Sequence, residues 1–226
     1  MKVFAIIPSG GSGLRMNNPL PKQYLRINGK EIIAYTLEVF QKCDLIDEII
    51  ISTRKNYFNL LHTIKNNYLF SKISKIVEGG QERQQSVHNA LKSINAMSDD
   101  LIVVHDAVRP LLSLDILTNA IETAKRSGSA VVAIKARDTL VKGTDSVHSY
   151  IDRQDVYYVQ TPQIFQYKIL LDAMNQAEKE NFIGTDESML AHRVGYKVNI
   201  VSGTSFNFKI TNEDDLLIFE KIAQKS

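Results

Sequence analysis

Val3-Phe-Ala-Ile-Ile7, running on through Pro8-Ser-Gly-Gly-Ser-Gly-Leu-Arg-Met16, decides how the rest of the chain is read. Five apolar residues in a row, without alternation, describe a strand buried on both faces, as in a parallel sheet. Glycines 10, 11 and 13 then turn the chain and let backbone amides come close to an anion with no Cβ in the way. Further apolar runs recur at Glu48 to Ser52, Ile73 to Val77, Leu101 to Val104 and Ala130 to Ile134. Helical stripes fall between them: Ile33, Leu37 and Phe40, then Val87, Leu91 and Ile94, then Ile116 to Ala124. Strand–helix alternation of this kind predicts an α/β fold, an open, mostly parallel sheet with helices on both faces. Tyr157 to Gln160 and Val198 to Val201 are weaker strands. Thr211-Asn-Glu-Asp214 has capping-box spacing and predicts a last helix through Leu216, Phe219 and Ala223.

One stretch breaks the rhythm. From about 137 to 158 the chain reads strand, Gly143-Thr-Asp-Ser146 turn, strand, with no helical stripe. This predicts a β-hairpin arm projecting from the sheet. A lone hairpin is marginal in water, so the arm is expected to lie on something, with a second subunit the natural choice. No linker or repeat divides the 226 residues, and a single domain over 1–226 is expected.

Composition narrows the classes. The 27 basic and 25 acidic residues nearly cancel, which leaves no field for long nucleic acid. No run approaches the ~20 apolar residues of a membrane span, and Val3 to Ile7 is too short for a signal-peptide core. The lone Cys43 forms no internal bridge and fits a reducing cytoplasm. Five histidines without paired spacing or a cysteine partner argue against a zinc site.

In an open parallel sheet, ligands bind at the carboxyl ends of the strands. The glycine turn after the first strand is the first such place, with Arg15 and Lys22 just beyond it. It lacks the Gly-Lys-Ser/Thr of a P-loop. It also departs from the dinucleotide fingerprint, with Met16 at the third glycine and Ser52-Thr-Arg54 where an acid is needed. Other strand ends carry His105-Asp-Ala-Val-Arg-Pro110, Arg137-Asp-Thr139, Asp152-Arg153, Thr161-Pro-Gln163 and Asn207-Phe-Lys-Ile-Thr211. Asp, Arg, Lys and Thr at so many strand ends are the groups that hold phosphates and hydroxyls. The blander readings are solvated surface charge for Arg15, Lys22, Arg153 and Lys209, a buried Asp106–Arg109 pair, and simple strand preference for Thr139. Asp99-Asp100 reads as a solvated loop, Glu213-Asp214-Asp215 as a helix N-terminus, and His105 as a hydrogen-bonded residue beside the site.

With Pro21-Lys-Gln-Tyr24, Gly79-Gly80, Arg83, Ser86-Val87, Gln160-Thr-Pro-Gln163, Phe165 and Thr185-Asp-Glu187 added, these motifs run in one order along nearly the whole chain. In that order the chain closely resembles the 2-C-methyl-D-erythritol 4-phosphate cytidylyltransferases of the non-mevalonate isoprenoid pathway. The resemblance implies a Rossmann-like nucleotidyltransferase sheet, a cytoplasmic enzyme, and CTP and a polyol phosphate as substrates, with Mg²⁺ or another divalent cation as cofactor. It implies that Arg15 and Lys22 meet the CTP triphosphate, wrapped by Ser9, Gly10, Gly11 and Gly13. Backbone at Gly80 and Gln81, with Ser86, would read cytosine. Asp106, Arg109, Thr161 and Lys209 would line the sugar-phosphate pocket, with Asp106 as the best metal carboxylate. Thr139 and Arg153 would reach the neighbouring subunit of a homodimer on the arm, Arg153 and Lys209 orienting the nucleophile.

Two positions depart from the family pattern: Gln81, where a small or acidic residue is common, and Phe206, where an acid commonly precedes the asparagine. Ribitol 5-phosphate is the alternative substrate, although Arg137 before Asp138-Thr139 favours methylerythritol phosphate. A non-catalytic nucleotide-binding subunit would be expected to lose Arg15, Lys22 or Asp106, and all three are present. A nicotinamide oxidoreductase is weakened by Met16 and the missing acid.

Overall fold

The computed structural model describes residues 1–11 and 20–224. The first apolar run is strand β1 (Val3–Pro8). Val3, Ala5 and Ile7 pack into one core cluster, and Phe4 and Ile6 into another on the opposite face. Unbroken apolarity thus has its physical cause in a sheet covered on both sides.

In chain order, β2 (Arg26–Ile27) and β3 (Lys30–Glu31) form a small ribbon before helix α1 (Ile32–Lys42) and strand β4 (Glu48–Thr53). Helix α2 (Phe58–Asn67), strand β5 (Ile73–Glu78), helix α3 (Arg83–Ser93) and strand β6 (Leu101–Val104) follow. Next come α4 (Leu114–Ser127), β7 (Ser129–Lys135), β8 (Leu140–Gly143), β9 (Val147–Ile151) and β10 (Tyr157–Gln166). The described chain closes with α5 (Tyr167–Lys179), α6 (Glu187–Arg193), β11 (Ile200–Ser202) and α7 (Glu213–Ala223).

Seven strands form one sheet in the order β11-β7-β10-β6-β1-β4-β5. Every neighbouring pair is parallel except those made by β10, which runs antiparallel to both β6 and β7. Helices α1, α2 and α4 cover one face through Leu37, Leu61 and Leu117. The other face is covered by α3, α5 and α6 through Val87, Leu170 and Leu190. Strand β1 has β4 on one side and β6 on the other, so the connections diverge there and leave a crevice at its carboxyl end. Among the described residues no helix is long and apolar enough to cross a membrane.

Several expectations shift in detail. The last capping box lies one residue later than its spacing suggests: Asn212 caps α7 and pairs with Asp215. Asp100 is buried rather than solvated, because its carboxylate accepts from the backbone amides of Lys2 (2.6 Å) and Met97 (2.8 Å). The strand beginning at Tyr157 does not stop at Gln160. It continues to Gln166 with a register shift between Val159 and Gln163, so the Thr161-Pro-Gln163 segment lies inside the sheet. The predicted hairpin is β8 paired with β9, a separate two-stranded ribbon.

Candidate active site

The carboxyl ends of β1, β4, β5 and β6 open on a cavity of about 520 Å³. Its first wall is the start of the glycine turn. Ser9 is buried and its amide donates to the Ser52 carbonyl at 2.7 Å. Gln23 Nε2 donates to the carbonyls of Ser9 (2.6 Å) and Gly11 (3.0 Å), and Arg54 Nε donates to the Gly10 carbonyl at 3.1 Å. Tyr24, also buried, joins its hydroxyl to Thr53 Oγ1 at 2.7 Å and Ser9 Oγ at 3.2 Å. The Pro21-Lys-Gln-Tyr24 motif therefore has a division of labour. Gln23 and Tyr24 pin the start of the turn at Ser9 and Gly11, while Lys22 between Pro21 and Gln23 lines the cavity.

The second wall is the turn into α3. Gly80 N donates to Ser86 Oγ at 3.0 Å, and the amides of Gln81 and Glu82 donate to Gln85 Oε1 at 2.9 and 3.2 Å. Glu82 and Gln85 complete a capping box around the helix start. A Cβ on Gly80 would collide with the Gln85 side chain, which gives the glycine a steric reason.

The third wall is ionic. Asp106, just past β6, holds Arg83 Nε at 2.9 Å from Oδ1 and Lys209 Nζ at 2.9 Å from Oδ2. Arg109 Nε is more distant, at 3.7 Å, and its Nη1 donates to the Asn207 carbonyl at 2.7 Å. The expected Asp106–Arg109 pair is therefore the weakest of three contacts. Burial opposes ionisation of Asp106, but Arg83, Lys209 and Arg109 overcome it and hold the carboxyl well below the usual carboxylate range. Arg83 in turn places Nη1 2.7 Å from Glu187 Oε1. Burial alone would lower the guanidinium's pKa; Glu187 and Asp106 outweigh it and raise it.

Thr161 stands behind this wall. Its Oγ1 accepts from the Asp106 amide at 3.1 Å and pairs with His105 Nδ1 at 3.1 Å, while His105 Nε2 meets the Arg109 carbonyl at 3.1 Å. Asn207 Nδ2 donates to the Thr161 carbonyl at 2.8 Å and to Gln160 Oε1 at 3.2 Å, filling the gap left by the register shift in β10. Burial pushes the fully enclosed His105 imidazole down to about 4, so it is neutral near pH 7. One cavity is thus lined by the start of the glycine turn and by the cations Lys22, Arg83 and Lys209.

A family model described as 2-C-methyl-D-erythritol 4-phosphate cytidylyltransferase matches residues 3–225. The chain belongs to this family. A relative of that name from Syntrophus aciditrophicus (strain SB) is 40% identical over 227 residues, covering 99% of this chain and 97% of its own. Another from Clostridium acetobutylicum is 40% identical over 225 residues, covering 98% and 97%. Among solved structures, the 4-diphosphocytidyl-2C-methyl-D-erythritol synthase of Anaerococcus prevotii superposes with a TM-score of 0.86 at 29% identity, covering 99% of this chain and 96% of that one.

In this cytidylyltransferase chain the sequence-predicted residues fall into three groups. Ser9, Gly10, Gly11, Lys22, Gly80 and Gln81 line the cavity, and so do Ser86, Asp106 and Lys209. Arg109 and Thr161 stand just behind, joined to Asp106 by the contacts above. Thr139 and Arg153 are exposed on the arm and do not line this chain's cavity; Arg153 donates to the Arg137 carbonyl. Gly13 and Arg15, together with Met16, lie outside the described residues.

Phe165 is core, as expected, and Phe206 is an exposed side chain rather than part of the ionic wall. Sequence reasoning assigned no role to Arg83, Glu187, Gln23 or Arg54. Arg83 and Glu187 stood within family motifs, but their pairing spans 104 positions and carries no periodic signal. Arg54 occupies the place of the dinucleotide-fold acid and instead holds the Gly10 carbonyl.

Proposed function

We propose that the chain carries out the reaction its family is named for. It joins CTP to 2-C-methyl-D-erythritol 4-phosphate and gives 4-diphosphocytidyl-2-C-methyl-D-erythritol and pyrophosphate. An oxygen of the polyol phosphate forms a bond to the α-phosphorus of CTP. The bond from that phosphorus to the bridging oxygen breaks, and pyrophosphate leaves with the electron pair. The nucleophile is already an anion, so no general base is required. What the reaction needs is two polyanions held in line and charge stabilised on the leaving group. The observation that carries the reading is one cavity in which Lys22 and the glycine turn face the Asp106–Lys209 wall.

In this reading Ser9, Gly10 and Gly11, with Gly13, hold the triphosphate, and Lys22 and Arg15 stabilise it as the bond to pyrophosphate breaks. Cytosine lies at Gly80, Gln81 and Ser86. Ser86 and Gln85 already take the amides of that turn, so backbone carbonyls are left to receive the base's amino group. Asp106 accepts polyol hydroxyls, Arg109 and Lys209 face the substrate phosphate, and Thr161 holds the Asp106 backbone. Thr139 and Arg153 serve a neighbouring subunit's site. Exposed Val141, Val147, Tyr150 and Tyr158 on and beside the arm support a homodimer that covers them. The cytoplasm is the proposed compartment.

Asp106 does not fit a resident metal. Its two oxygens are engaged by Arg83 and Lys209, and the described residues contain no group of three His, Cys, Asp or Glu able to share an ion. Mg²⁺ favours phosphate oxygens and its own waters. We therefore assign the divalent cation to the triphosphate, as part of the substrate.

Pyrophosphate release tests the reading. Purified protein with CTP and Mg²⁺ should release it with 2-C-methyl-D-erythritol 4-phosphate, much less with ribitol 5-phosphate, and not in excess EDTA. Faster release with ribitol 5-phosphate would reassign the substrate, and full activity in chelator would remove the cation.

A further inference from the structure

Glu187 is the first residue of α6, with its side chain about 1% exposed. A carboxylate so enclosed is costly unless paired, and its Oε1 is 2.7 Å from Arg83 while its Oε2 has no hydrogen-bond partner. For stability alone, an apolar residue of similar size would serve α6 as well or better than half of a buried ion pair. The pair leads somewhere: the same guanidinium that meets Glu187 through Nη1 meets Asp106 through Nε.

We propose that Glu187 is a positioning residue, which through Arg83 fixes the Asp106 carboxylate in the orientation that receives the polyol phosphate. The proposal rests on the reading of Asp106 as part of that pocket. Asp106 has three cationic neighbours, Arg83, Lys209 and Arg109. Two of them, Arg109 and Lys209, are the groups proposed to face the substrate phosphate. Arg83 differs because Glu187 neutralises it and takes one side of its planar fork. With Nη1 held there, Nε is presented to Asp106 Oδ1, which sets the plane of the carboxylate. Helix α6 is itself anchored beside the same wall, since the Ser188 amide donates to Gln163 Oε1 at 2.8 Å on β10. The brace thus ties Asp106 to a helix fixed on the strand that carries Thr161. If the charge on Glu187 is lost, Arg83, which also lines the cavity, becomes a spare cation free to turn away from Asp106 toward the polyanions.

Steady-state kinetics of the full chain, with each substrate varied separately, tests this. Glu187→Gln keeps the side chain's size and removes its charge. KM for the polyol phosphate should rise about tenfold or more, the scale of one charged hydrogen bond, with KM for CTP held within about twofold. Lower thermal stability with an unchanged ratio of the two KM values would mean a structural role only and would overturn the proposal. Should Glu187→Gln fail to fold, the same ratio is read on Arg83→Lys, which keeps the charge but cannot span two carboxylates; an unchanged ratio there overturns it equally. Asp106→Asn separates the two readings. If it raises the polyol KM and Glu187→Gln does not, only the positioning role falls. If it leaves that KM unchanged, the pocket reading falls and the brace with it.

Discussion

Lys22 and Lys209, far apart in the chain, line one cavity, and in the proposed reaction each meets one of the two polyanions. Lys22→Ala should lower turnover by ~10²–10³, the effect of removing one preorganised charge donor. Thermal stability should barely change, since a partly exposed lysine at the cavity carries little of the core. Turnover near that of the unaltered chain would take Lys22 out of the mechanism. His105 makes a different prediction, about pH. Burial lowers its pKa to about 4, against ~6.5 when unfolded, so the unfolded state takes up a proton first as pH falls. Stability contributed by the neutral ring is complete above pH ~6.5 and is lost between there and about 4, at most about 3 kcal/mol. Asp106, held below the usual carboxylate range, acts only at lower pH. The unfolding temperature of His105→Gln should therefore fall less than that of the unaltered chain between pH 7 and 4. Parallel curves would assign the acid sensitivity to another group.

Among the elements, the arm formed by β8 and β9 carries the strongest prediction. If two arms exchange in a twofold dimer, each site combines Lys22 of one chain with Arg153 of the other. Lys22→Ala and Arg153→Ala homodimers should then both be nearly inactive. Random mixing makes half the dimers mixed, each with one intact site, so activity should return to about a quarter of the unaltered level. Mixing that restores nothing, with dimers intact, would confine both residues to one subunit's site. The elements also show what could be read in advance. β1, β4, β6 and β7 were legible because burial on both faces leaves unbroken apolar runs, and the α1 stripe because Ile33, Leu37 and Phe40 all face the core. β10 was legible only to Gln160, since Thr161-Pro-Gln163 interrupts the run before the buried Ile164 and Phe165, and that stretch owes its place to the register shift and to Asn207, far along the chain. The walls of the cavity could be anticipated from strand ends. The partners of Asp106 could not, because Arg83 reaches it from the start of α3 and Lys209 from beyond β11, and Arg109, the near neighbour, is the farthest of the three.

At the scale of the whole molecule, divergence of the chain on either side of β1 opens the crevice, Ser9, Gly10 and Gly11 line it after β1, and Arg83, Asp106 and Lys209, which follow β5, β6 and β11, bring the charges. In the proposed reaction this arrangement directs a phosphate oxygen to the α-phosphorus of CTP. Following radioactive phosphorus tests it most directly. With CTP labelled at the α-phosphate and unlabelled 2-C-methyl-D-erythritol 4-phosphate, the label should appear in the CDP-linked polyol. With CTP labelled at the γ-phosphate, it should appear only in pyrophosphate. Label from the γ-position on the polyol, or none from the α-position, would contradict the account.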